Sequence, residues 1–221
     1  LMLNKKANTQ RTREKILDTA EHLFSIYGID GTSVRNITRQ AGVDLSLVNY
    51  YFNSKDKLFE EVLVRRVAKM SDARIKQLDK FNFNEDKNIA VPKILRRFIE
   101  PLIGKDENEV KELSNYRKLI ALVANSKLWQ DVIFKYHYDP IAEEYINAIW
   151  KLNNNLSRED VCWAFNFFLG SLTNAIAETG RVDRLSFGEA SSSDLGIMVD
   201  KIVAYSAAAI LHMGDIKTTQ Q

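Results

Sequence analysis

The sequence predicts an all-α protein in two parts, an N-terminal three-helix helix-turn-helix head and a C-terminal helical domain, with about nine to ten helices in all. Apolar residues recur at spacings of three and four along most of the chain, which is the periodicity of helices with one buried side. Strict apolar/polar alternation nowhere persists beyond a few residues, so strands are not expected. With 221 residues, 45% of them apolar, and only three prolines, the chain has room for long helices and a sizeable core.

Composition limits the classes of function. The formal net charge is only +2, so any affinity for nucleic acid must come from locally concentrated charge. The single cysteine, Cys162, excludes an internal disulfide and fits a reducing cytoplasm. It lies in an apolar run, where a buried structural thiol is expected rather than a reactive one. No stretch reaches the roughly 18 apolar residues of a membrane span, so no membrane association is expected.

The first element is expected to be a helix over residues 12–27 that ends at Gly28. Its apolar residues describe one face, which would cover the back of the next two helices. The polar residues 1–10 before it are expected to be frayed. This N-terminal segment is the most basic part of the chain and has two interpretations, a solvated tail or an arm that contacts phosphates. Its basic residues are Lys5, Lys6, Arg11, Arg13 and Lys15.

Two short helices around a glycine turn follow. Ser33 can cap the first helix, Gly42 can adopt the positive φ of a sharp reversal, and Asp44 can cap the second helix. In the second helix, Val48 and Phe52 point towards the core. The remaining residues form a short, polar and aromatic face with little charge, which is typical of a helix that fits a groove and hydrogen-bonds the groups inside it. They are Leu45, Ser46, Leu47, Asn49, Tyr50 and Tyr51.

The residues just before the first of these helices are candidates for phosphate contact. The hydroxyls of Thr32 and Ser33, together with the first free amides of the helix, form an anion-binding terminus. Capping alone explains both hydroxyls equally well, and the two roles can hold at once.

A long amphipathic helix is expected over residues 55–80, where it joins the head to the rest of the chain. Ser54 can cap its start. The polar segment from Phe81 to Asn88 marks the expected domain boundary. The chain is therefore divided into the head, the connecting helix and a second domain, which cover residues 1–55, 55–80 and 81–221.

The second domain is expected to contain a series of helices. Pro101 should kink or end the first of them. Asp139 and Pro140 should open a helix, and Ser157 should start the most apolar one, which Gly180 closes. A flexible loop and a disordered tail are expected at residues 186–193 and after residue 214. The helices are placed at residues 88–104, 106–125 (one or two helices), 140–152, 161–179 and 194–212.

No arrangement of residues for catalysis, cofactor binding or metal binding is evident. The three histidines, His22, His137 and His212, lie in three separate regions without metal-ligand spacing. The sequence contains no nucleophile elbow, phosphate loop or dinucleotide fingerprint. The cluster Tyr136–Asp139 is explained by packing and capping. We therefore expect no enzyme activity, no cofactor and no metal.

The segment TREKILDTAEHLFSIYGIDGTSVRNITRQAGVDLSLVNYYFNSKDKLFEEVL resembles the DNA-binding domain of the TetR/AcrR family of one-component transcriptional regulators. The sequence departs from the family at Asp44, Ser46 and Asn49, where the family usually has Ser or Thr, Gly and Tyr. The last two lie on the outer face, so they bear on the operator sequence and not on the fold. The matching residues are Ile16, Leu17, Ala20, Leu23, Phe24, Gly28, Gly31–Val34, Ile37, Ala41–Val43, Tyr51, Phe52, Ser54 and Lys55.

The resemblance implies a cytoplasmic homodimer, most simply a repressor, that binds a palindromic double-stranded DNA operator. One short recognition helix buries too little surface for specific binding, whereas two heads can read successive major grooves. The resemblance also implies that the connecting helix moves the head when a small molecule binds. The residues expected at base edges and nearby sugars are Leu45, Ser46, Leu47, Asn49 and Tyr50. Those expected at the backbone are Thr32, Ser33, Arg35, Tyr51 and Lys55.

The aromatic residues between positions 98 and 168 have two interpretations, a plain core or the wall of an apolar cavity. A separate helical domain behind a reading head favours the cavity, because one-component repressors of the resembled family sense small molecules there. The cavity residues expected are Phe98, Leu102, Tyr116, Leu119, Phe134, Trp163 and Phe167.

The effector is suggested by a second, looser resemblance. Residues 125–150 and 152–185 are similar to the C-terminal domain of a branch whose members include some that respond to long-chain fatty acids or their acyl thioesters. A small apolar effector of this kind is therefore expected. Candidates to hold its carboxylate, each of which also suits a solvated surface charge, are Arg96, Arg97, Arg117 and Lys118.

The helix over residues 161–179 is apolar nearly all round, so it must be covered on every side. In a chain of this size, we expect its own core and a partner to share that cover. The dimer surface is therefore placed in a four-helix arrangement of residues 140–152 and 157–180 from both chains. The interface residues expected are Tyr145, Ile149, Phe165, Phe168, Leu169, Leu172 and Ile176. The alternative function is a helical ligand carrier or small enzyme without specific DNA binding.

Overall fold

A computed structural model describes the backbone of residues 2–215 and the side chains of residues 7–215. Helices joined by turns and short loops make up this range, which contains no strand, as predicted. A π-helical segment, Gln130–Phe134, and a 3₁₀ turn, Met213–Asp215, complete it. The helices are α1 (Met2–Tyr27), α2 (Val34–Ala41), α3 (Leu45–Phe52), α4 (Lys55–Asp79), α5 (Lys87–Ile103), α6 (Glu107–Val123), α7 (Lys127–Trp129), α8 (Lys135–His137), α9 (Asp139–Leu152), α10 (Arg158–Ile176), α11 (Arg181–Leu185) and α12 (Leu195–His212).

Helix α1 begins ten residues earlier than the apolar pattern predicts. The backbone is helical from Met2, so the expectation of a frayed start was wrong for the described residues. Lysines, arginines and polar residues sustain a helix well without a buried face, which explains why periodicity missed this part. The helix ends where predicted, at Gly28, which has φ +69°. The expected phosphate contacts of Lys5 and Lys6 lie outside the described side chains.

Helix α4 has 25 residues and joins the head to the bundle. Ser54 caps its start by accepting a hydrogen bond from the amide of Lys57 at 3.1 Å. Further along, the buried carboxylate of Glu21 on α1 accepts from Arg65 at 2.6 Å and from Arg66 at 3.3 Å. One continuous apolar core runs from α1 through α4 into the bundle. The head is therefore held firmly to α4, and the division of the chain into two domains stays a prediction.

Helices α5 and α6 follow the expected pattern. Helix α5 continues two residues past Pro101 and ends at Gly104, which has φ +98°. A Cβ at Gly104 would lie only 2.8 Å from the amide nitrogen of Val110, so the close approach of α6 requires glycine there. Helix α6 is a single helix, whose start is capped by Asp106.

The stretch between α6 and α9 is a set of short helical turns around the π-helical segment. Tyr138 takes the N-cap position of α9, and Asp139 is its first residue instead of its cap. Helix α10 has the predicted capping box, in which Ser157 and Asp160 exchange hydrogen bonds. Gly180 does not close α10, which ends at Ile176; with φ +67°, this glycine precedes the short α11 instead.

Helix α12 packs on α5 and α10 and completes the core. Within residues 2–215, the segment Leu195–Asp215 is the one stretch that is long and apolar enough, by length and composition alone, to cross a membrane. Its side towards the bundle is buried, and it belongs to the same core cluster as α5 and α10. Burial of one side against neighbouring helices explains its apolar composition. The predicted disordered tail after Gly214 falls on residues 216–221, outside the described part of the chain.

Candidate nucleic-acid interface and effector cavity

The turn between α2 and α3 has the geometry that the sequence predicted. Gly42 adopts φ +61°, the left-handed conformation that glycine reaches without strain. Its amide donates to the carbonyl of Arg39 at 3.3 Å, and the amide of Val43 donates to Thr38 at 3.0 Å. Asp44 occupies the N-cap position of α3, although its side chain makes no capping hydrogen bond. The turn is therefore fixed by its backbone.

Helix α3 buries one side and exposes the other. Val48 and Phe52 are buried in the head, as predicted. On the outer side, the Tyr50 side chain is 75% exposed and contacts the ring of Tyr51 edge-on at 5.0 Å between centroids. Of the six side chains expected on this face, four are exposed: Leu45, Ser46, Asn49 and Tyr50. The other two, Leu47 and Tyr51, are half-buried and pack against the core.

The two hydroxyls before α2 have different environments. Ser33 is exposed and caps α2 by accepting from the amide of Asn36 at 3.1 Å. Thr32 is buried, and its hydroxyl donates to the carbonyls of Gly28 at 2.7 Å and Leu23 at 3.3 Å. The expectation that the Thr32 side chain positions a phosphate was therefore wrong, because its hydroxyl closes the α1–α2 turn instead.

The ammonium of Lys55 also contacts this turn. Its Nζ donates to the carbonyl of Ile29 at 2.8 Å and to that of Thr32 at 3.3 Å. Two of its three protons are thus directed at the protein. Lys55 fixes the turn that carries the start of α2, and one proton is left for a phosphate.

Exposed cations lie next to this face, and the sequence identified only some of them. Arg35 on α2 is exposed, as a phosphate contact requires, and Arg39, one helical turn later, is exposed too. A Cβ built on Gly42 would lie 3.7 Å from the Nζ of Lys15, so Lys15 stands beside the α2–α3 turn. Arg13, by contrast, pairs with Glu61 and is not free for DNA. Arg39 was missed, although its spacing of four from Arg35 places both on one side of α2.

A second site lies in the helical bundle, where a cavity of about 240 Å³ opens among α4, α5, α6 and α10. Four of the seven residues predicted for it line it: Phe98, Leu102, Tyr116 and Phe134. Leu119 is buried in the core but does not reach the lining. Trp163 and Phe167 are 54% and 56% exposed on the outer side of α10, so their assignment to the cavity was wrong.

Comparison with known proteins identifies the chain. Residues 16–62 match the family described as bacterial regulatory proteins, tetR family. Residues 96–209, more than half of the chain, match the domain described as tetracyclin repressor-like, C-terminal. The chain belongs to the tetR family of bacterial regulatory proteins.

Named relatives and solved structures agree with this family. The chain is 33% identical to the HTH-type transcriptional regulator AcrR of Shigella flexneri over 34% of this chain and 35% of that one. It is 40% identical to the probable regulator YttP of Bacillus subtilis over 24% of this chain and 25% of that one. These matches therefore span only about a quarter to a third of the relatives' length.

Two solved structures have the same fold as this tetR-family chain. The TetR-like transcriptional regulator from Rhodococcus sp. RHA1 gives a TM-score of 0.63 at 16% identity, with 93% of this chain and 97% of that one covered. The fatty acid degradation regulator FadR from Bacillus halodurans gives a TM-score of 0.55 at 17% identity, with coverages of 90% and 94%. At these identities, the likeness concerns the fold alone.

The residues predicted for the dimer surface of this tetR-family chain lie inside the protomer. Those that are buried in its own core are Tyr145, Ile149, Phe165, Phe168, Leu172 and Ile176, and Leu169 is half-buried. Leu169, Leu172 and Ile176 line the cavity. The assignment of the six buried residues to a dimer interface was wrong, because a side chain buried by its own bundle has no surface to offer a second copy. The assignment of Leu169 stays a prediction.

The cations predicted to hold a carboxylate do not line the cavity. Arg96 pairs with Asp200, Lys118 is exposed, and Arg97 donates to the carbonyl of Gln77 at 2.8 Å. Arg117 is buried but donates to backbone carbonyls, including that of Val110 at 3.1 Å. The cation in the lining is Arg74 on α4, which the sequence analysis missed. It falls in the apolar register of α4, so periodicity could have marked it as a buried charge.

Two tyrosine hydroxyls meet in the same cavity. Tyr116 and Tyr138 are hydrogen-bonded to each other at 2.5 Å. Burial raises the pKa of Tyr116 to about 12, and the hydrogen bond to Tyr138 partly offsets this rise. Burial also raises the pKa of Tyr138 well above its ordinary value. Both hydroxyls therefore keep their protons at neutral pH and can act as hydrogen-bond donors.

Proposed function

We propose that this chain is a homodimeric, sequence-specific DNA-binding transcriptional regulator that acts in the cytoplasm, most simply as a repressor. The observation that carries the proposal is the outer side of α3, where Tyr50, Asn49 and Ser46 are exposed while the opposite side fixes the helix in the core. A helix of this size fits the major groove, where hydroxyl and amide side chains can read base edges. The family is one of regulatory proteins, and we propose no catalytic role for any residue.

Contacts to the DNA backbone would surround this helix. We assign them to Ser33 and the first amides of α2, to Arg35 and Arg39 on the same helix, and to Lys15 beside the turn. Tyr51 and the remaining proton of Lys55 are further candidates from the predicted set. Phosphate contacts of this kind hold the register of a protein on DNA without reading the sequence.

The functional unit would be a homodimer, because two heads about 34–36 Å apart can read two successive major grooves of a palindrome. The outer sides of α10 and α12 suit such an interface. Trp163 and Phe167 stack at 5.7 Å on α10, and Tyr205 is exposed on α12 between the small residues Ala204 and Ala208. Trp and Tyr are enriched among the few side chains that contribute most of the binding energy of an interface. We therefore propose that the dimer interface is formed by α10 and α12, in place of the α9 and α10 expected from the sequence.

A small apolar effector would bind in the bundle cavity and release the DNA. Helix α4 supports this coupling, since it begins at the α1–α2 turn and lines the cavity further along. The class of effector we favour is a fatty acid or an acyl thioester, as the looser sequence resemblance suggests, and one neighbour in fold carries the name fatty acid degradation regulator. Binding would shift the population between two spacings of the heads.

The test is a mobility-shift titration of the purified protein on the DNA upstream of its own gene. We expect a complex that survives excess random DNA, weakens steeply with salt and protects two half-sites one helical turn apart. Light scattering should give the mass of a dimer. A carrier or small enzyme would give no complex that resists competitor DNA, and that result would overturn the proposal.

A further inference from the structure

The cavity contains a positive charge with no negative partner. Arg74 is 4% exposed, and its Nε donates to the carbonyl of Phe98 at 2.8 Å. Its guanidinium carbon lies 3.9 Å from the centre of the Phe98 ring. Among the described residues, no carboxylate lies within 4 Å of Arg74, and its two terminal nitrogens make no hydrogen bond to the protein. The other charged arginines of α4, Arg65 and Arg66, are paired with carboxylates.

An unpaired, buried guanidinium in this position destabilises the folded protein. Transfer of a charge from water into an apolar site is strongly unfavourable unless a counter-ion and hydrogen bonds compensate for it. Burial lowers the pKa of Arg74, but arginine remains protonated in proteins. The charge therefore persists at a residue that lines the cavity. A bound anion is the partner that this arrangement lacks.

Polar neighbours of Arg74 extend the anion site. The hydroxyl pair of Tyr116 and Tyr138 lines the same cavity, and one proton of that pair is left over once the two hydroxyls have bonded to each other. The lining contains one carboxylate, that of Asp139, which is exposed and makes no ion pair with Arg74. The rest of the wall is mainly apolar; its aliphatic members include Leu102, Ile120, Ile141, Leu169, Leu172 and Ile176.

We propose that the cavity binds the free acid of a short or medium-length apolar chain, with its carboxylate on the guanidinium of Arg74 and the Tyr116–Tyr138 hydroxyl pair. The guanidinium fork matches a carboxylate, and the aliphatic wall matches a hydrocarbon chain. At about 240 Å³, the cavity is smaller than the roughly 300–1,000 Å³ of sites for drug-sized ligands. The nucleotide part of an acyl thioester would have to lie outside a cavity of this volume, so we favour the free acid over the thioester.

The position of Arg74 also connects the ligand to the head, a step that rests on the proposed function. Arg74 is nineteen residues after Lys55 on α4, about 28 Å along a continuous helix. An ion pair with a ligand would draw Arg74 towards the cavity, and α4 would carry the displacement to the turn that Lys55 holds. The carboxylate would thus supply the differential contact that a switch between two states requires.

The first experiment compares ligands on the unmodified protein by isothermal titration calorimetry. The ligands are hexanoate, octanoate, decanoate and 3-phenylpropionate, each against its amide, which has nearly the same shape without the charge. We expect at least one acid to bind about tenfold or more tightly than its amide, because a hydrogen bond to a charged group is the stronger kind. Equal affinities for every acid and amide, or no binding by any acid, would overturn the proposal.

The second experiment uses variants. Arg74→Gln should lose the preference for the acid, and Arg74→Lys should keep part of it. Arg96→Gln is the matched control, because Arg96 is a partly exposed arginine of the same domain that pairs with Asp200. It should bind the acid as the unmodified protein does. If Arg74→Gln does not fold, Tyr138→Phe replaces it and should weaken octanoate severalfold without changing the affinity for octanamide. An unchanged preference for the acid in the folded variant would contradict the proposal.

The same samples separate this inference from the proposed function. Operator binding is measured by mobility shift with and without octanoate. Acid binding by calorimetry without any operator complex would overturn the regulator function and support the site. An operator complex together with equal binding of acid and amide would support the regulator function and overturn the carboxylate site.

Discussion

Helices α3 and α10 differ in the number of different environments that surround them. Helix α3 has eight residues, two of them buried, and its other side is open to solvent. Helix α10 has 19 residues and three different neighbours, namely the core, the cavity and the exterior. Phe165 and Phe168 face the core, Leu169 and Leu172 reach the cavity, and Phe167 faces outwards. The buried side of a helix with one apolar face can be predicted from its own sequence. The buried side of a helix that is apolar all round can be determined only from the elements that pack against it.

The largest expected effect tests the assignment of sides on α10. Phe168 is 1% exposed and contacts the rings of Phe98 and Phe165, whereas Phe167, the residue before it, is 56% exposed. Phe168→Ala should lower the free energy of unfolding by about 3–5 kcal/mol, because it leaves a cavity in the core. Chemical denaturation measures this loss.

Phe167→Ala is the matched control on the same helix. It should leave the unfolding of the separated protomer within about 0.5 kcal/mol of the unmodified protein, since it buries little in the protomer. It should instead weaken dimerisation, which dilution with light scattering detects. Similar losses of stability in both variants would show that the two sides of α10 have been assigned wrongly.

The contrast between the two helices also explains how much the sequence could predict. The helix-turn-helix was placed to within a residue, because Gly42 and the caps Ser33 and Ser54 act locally. The cavity was expected from the resemblance to one-component repressors, and four of the seven residues predicted for it line it. The outward side of α10 could not be predicted, since nearly every side of it is apolar in sequence and its neighbours α5, α6, α9 and α12 decide which side is covered.

For polar residues, the sequence-based predictions were wrong about burial: a polar side chain expected at the surface lies inside the protein. Thr32 was expected at a phosphate but is buried under the α1–α2 turn, and Arg74 was absent from the predicted site but lines the cavity. In both cases, the sequence pattern treats the polar group as if it faced water. The partner that makes burial acceptable is the backbone carbonyl of Gly28 for Thr32 and, in our proposal, a ligand for Arg74, and the spacing of apolar residues indicates neither.

The next prediction concerns the exposed side of α3. Tyr50→Ala should weaken operator binding by about 1–3 kcal/mol, as loss of one base contact does, with no change in unfolding. Val48→Ala, two residues earlier on the buried side, should lower the stability of the head and leave the affinity of the folded fraction unchanged. Mobility shift and thermal denaturation measure the two effects. Unchanged operator affinity in Tyr50→Ala would remove this side of α3 from the interface.

A smaller effect is expected at Lys55, where a buried contact and a DNA contact can be separated. Lys55→Met should lower the free energy of unfolding by about 1–2 kcal/mol, because the carbonyls of Ile29 and Thr32 lose a charged donor. Asp56→Asn, at the adjacent exposed position, removes a charge without such bonds and serves as the control in thermal denaturation. A variant of Lys55 as stable as the unmodified protein would mean that the residue acts on DNA alone.

The smallest expected effect, and the one specific to the backbone contacts, is at Arg35. This side chain is exposed on α2 and makes no hydrogen bond or ion pair among the described residues, so Arg35→Ala should not change stability. If it contacts a phosphate, its loss should weaken binding to every DNA sequence about equally and reduce the slope of log affinity against log salt by about one per head. Arg96→Ala, which removes the same charge on the far domain, should leave the slope unchanged. Titrations at several salt concentrations decide between these outcomes. An unaltered slope in Arg35→Ala would show that Arg35 contacts no phosphate and would leave Lys15 and Arg39 as the candidates for that role. Arg35 would then add no electrostatic contribution to the operator affinity, and the loss seen with Tyr50→Ala would reflect base reading.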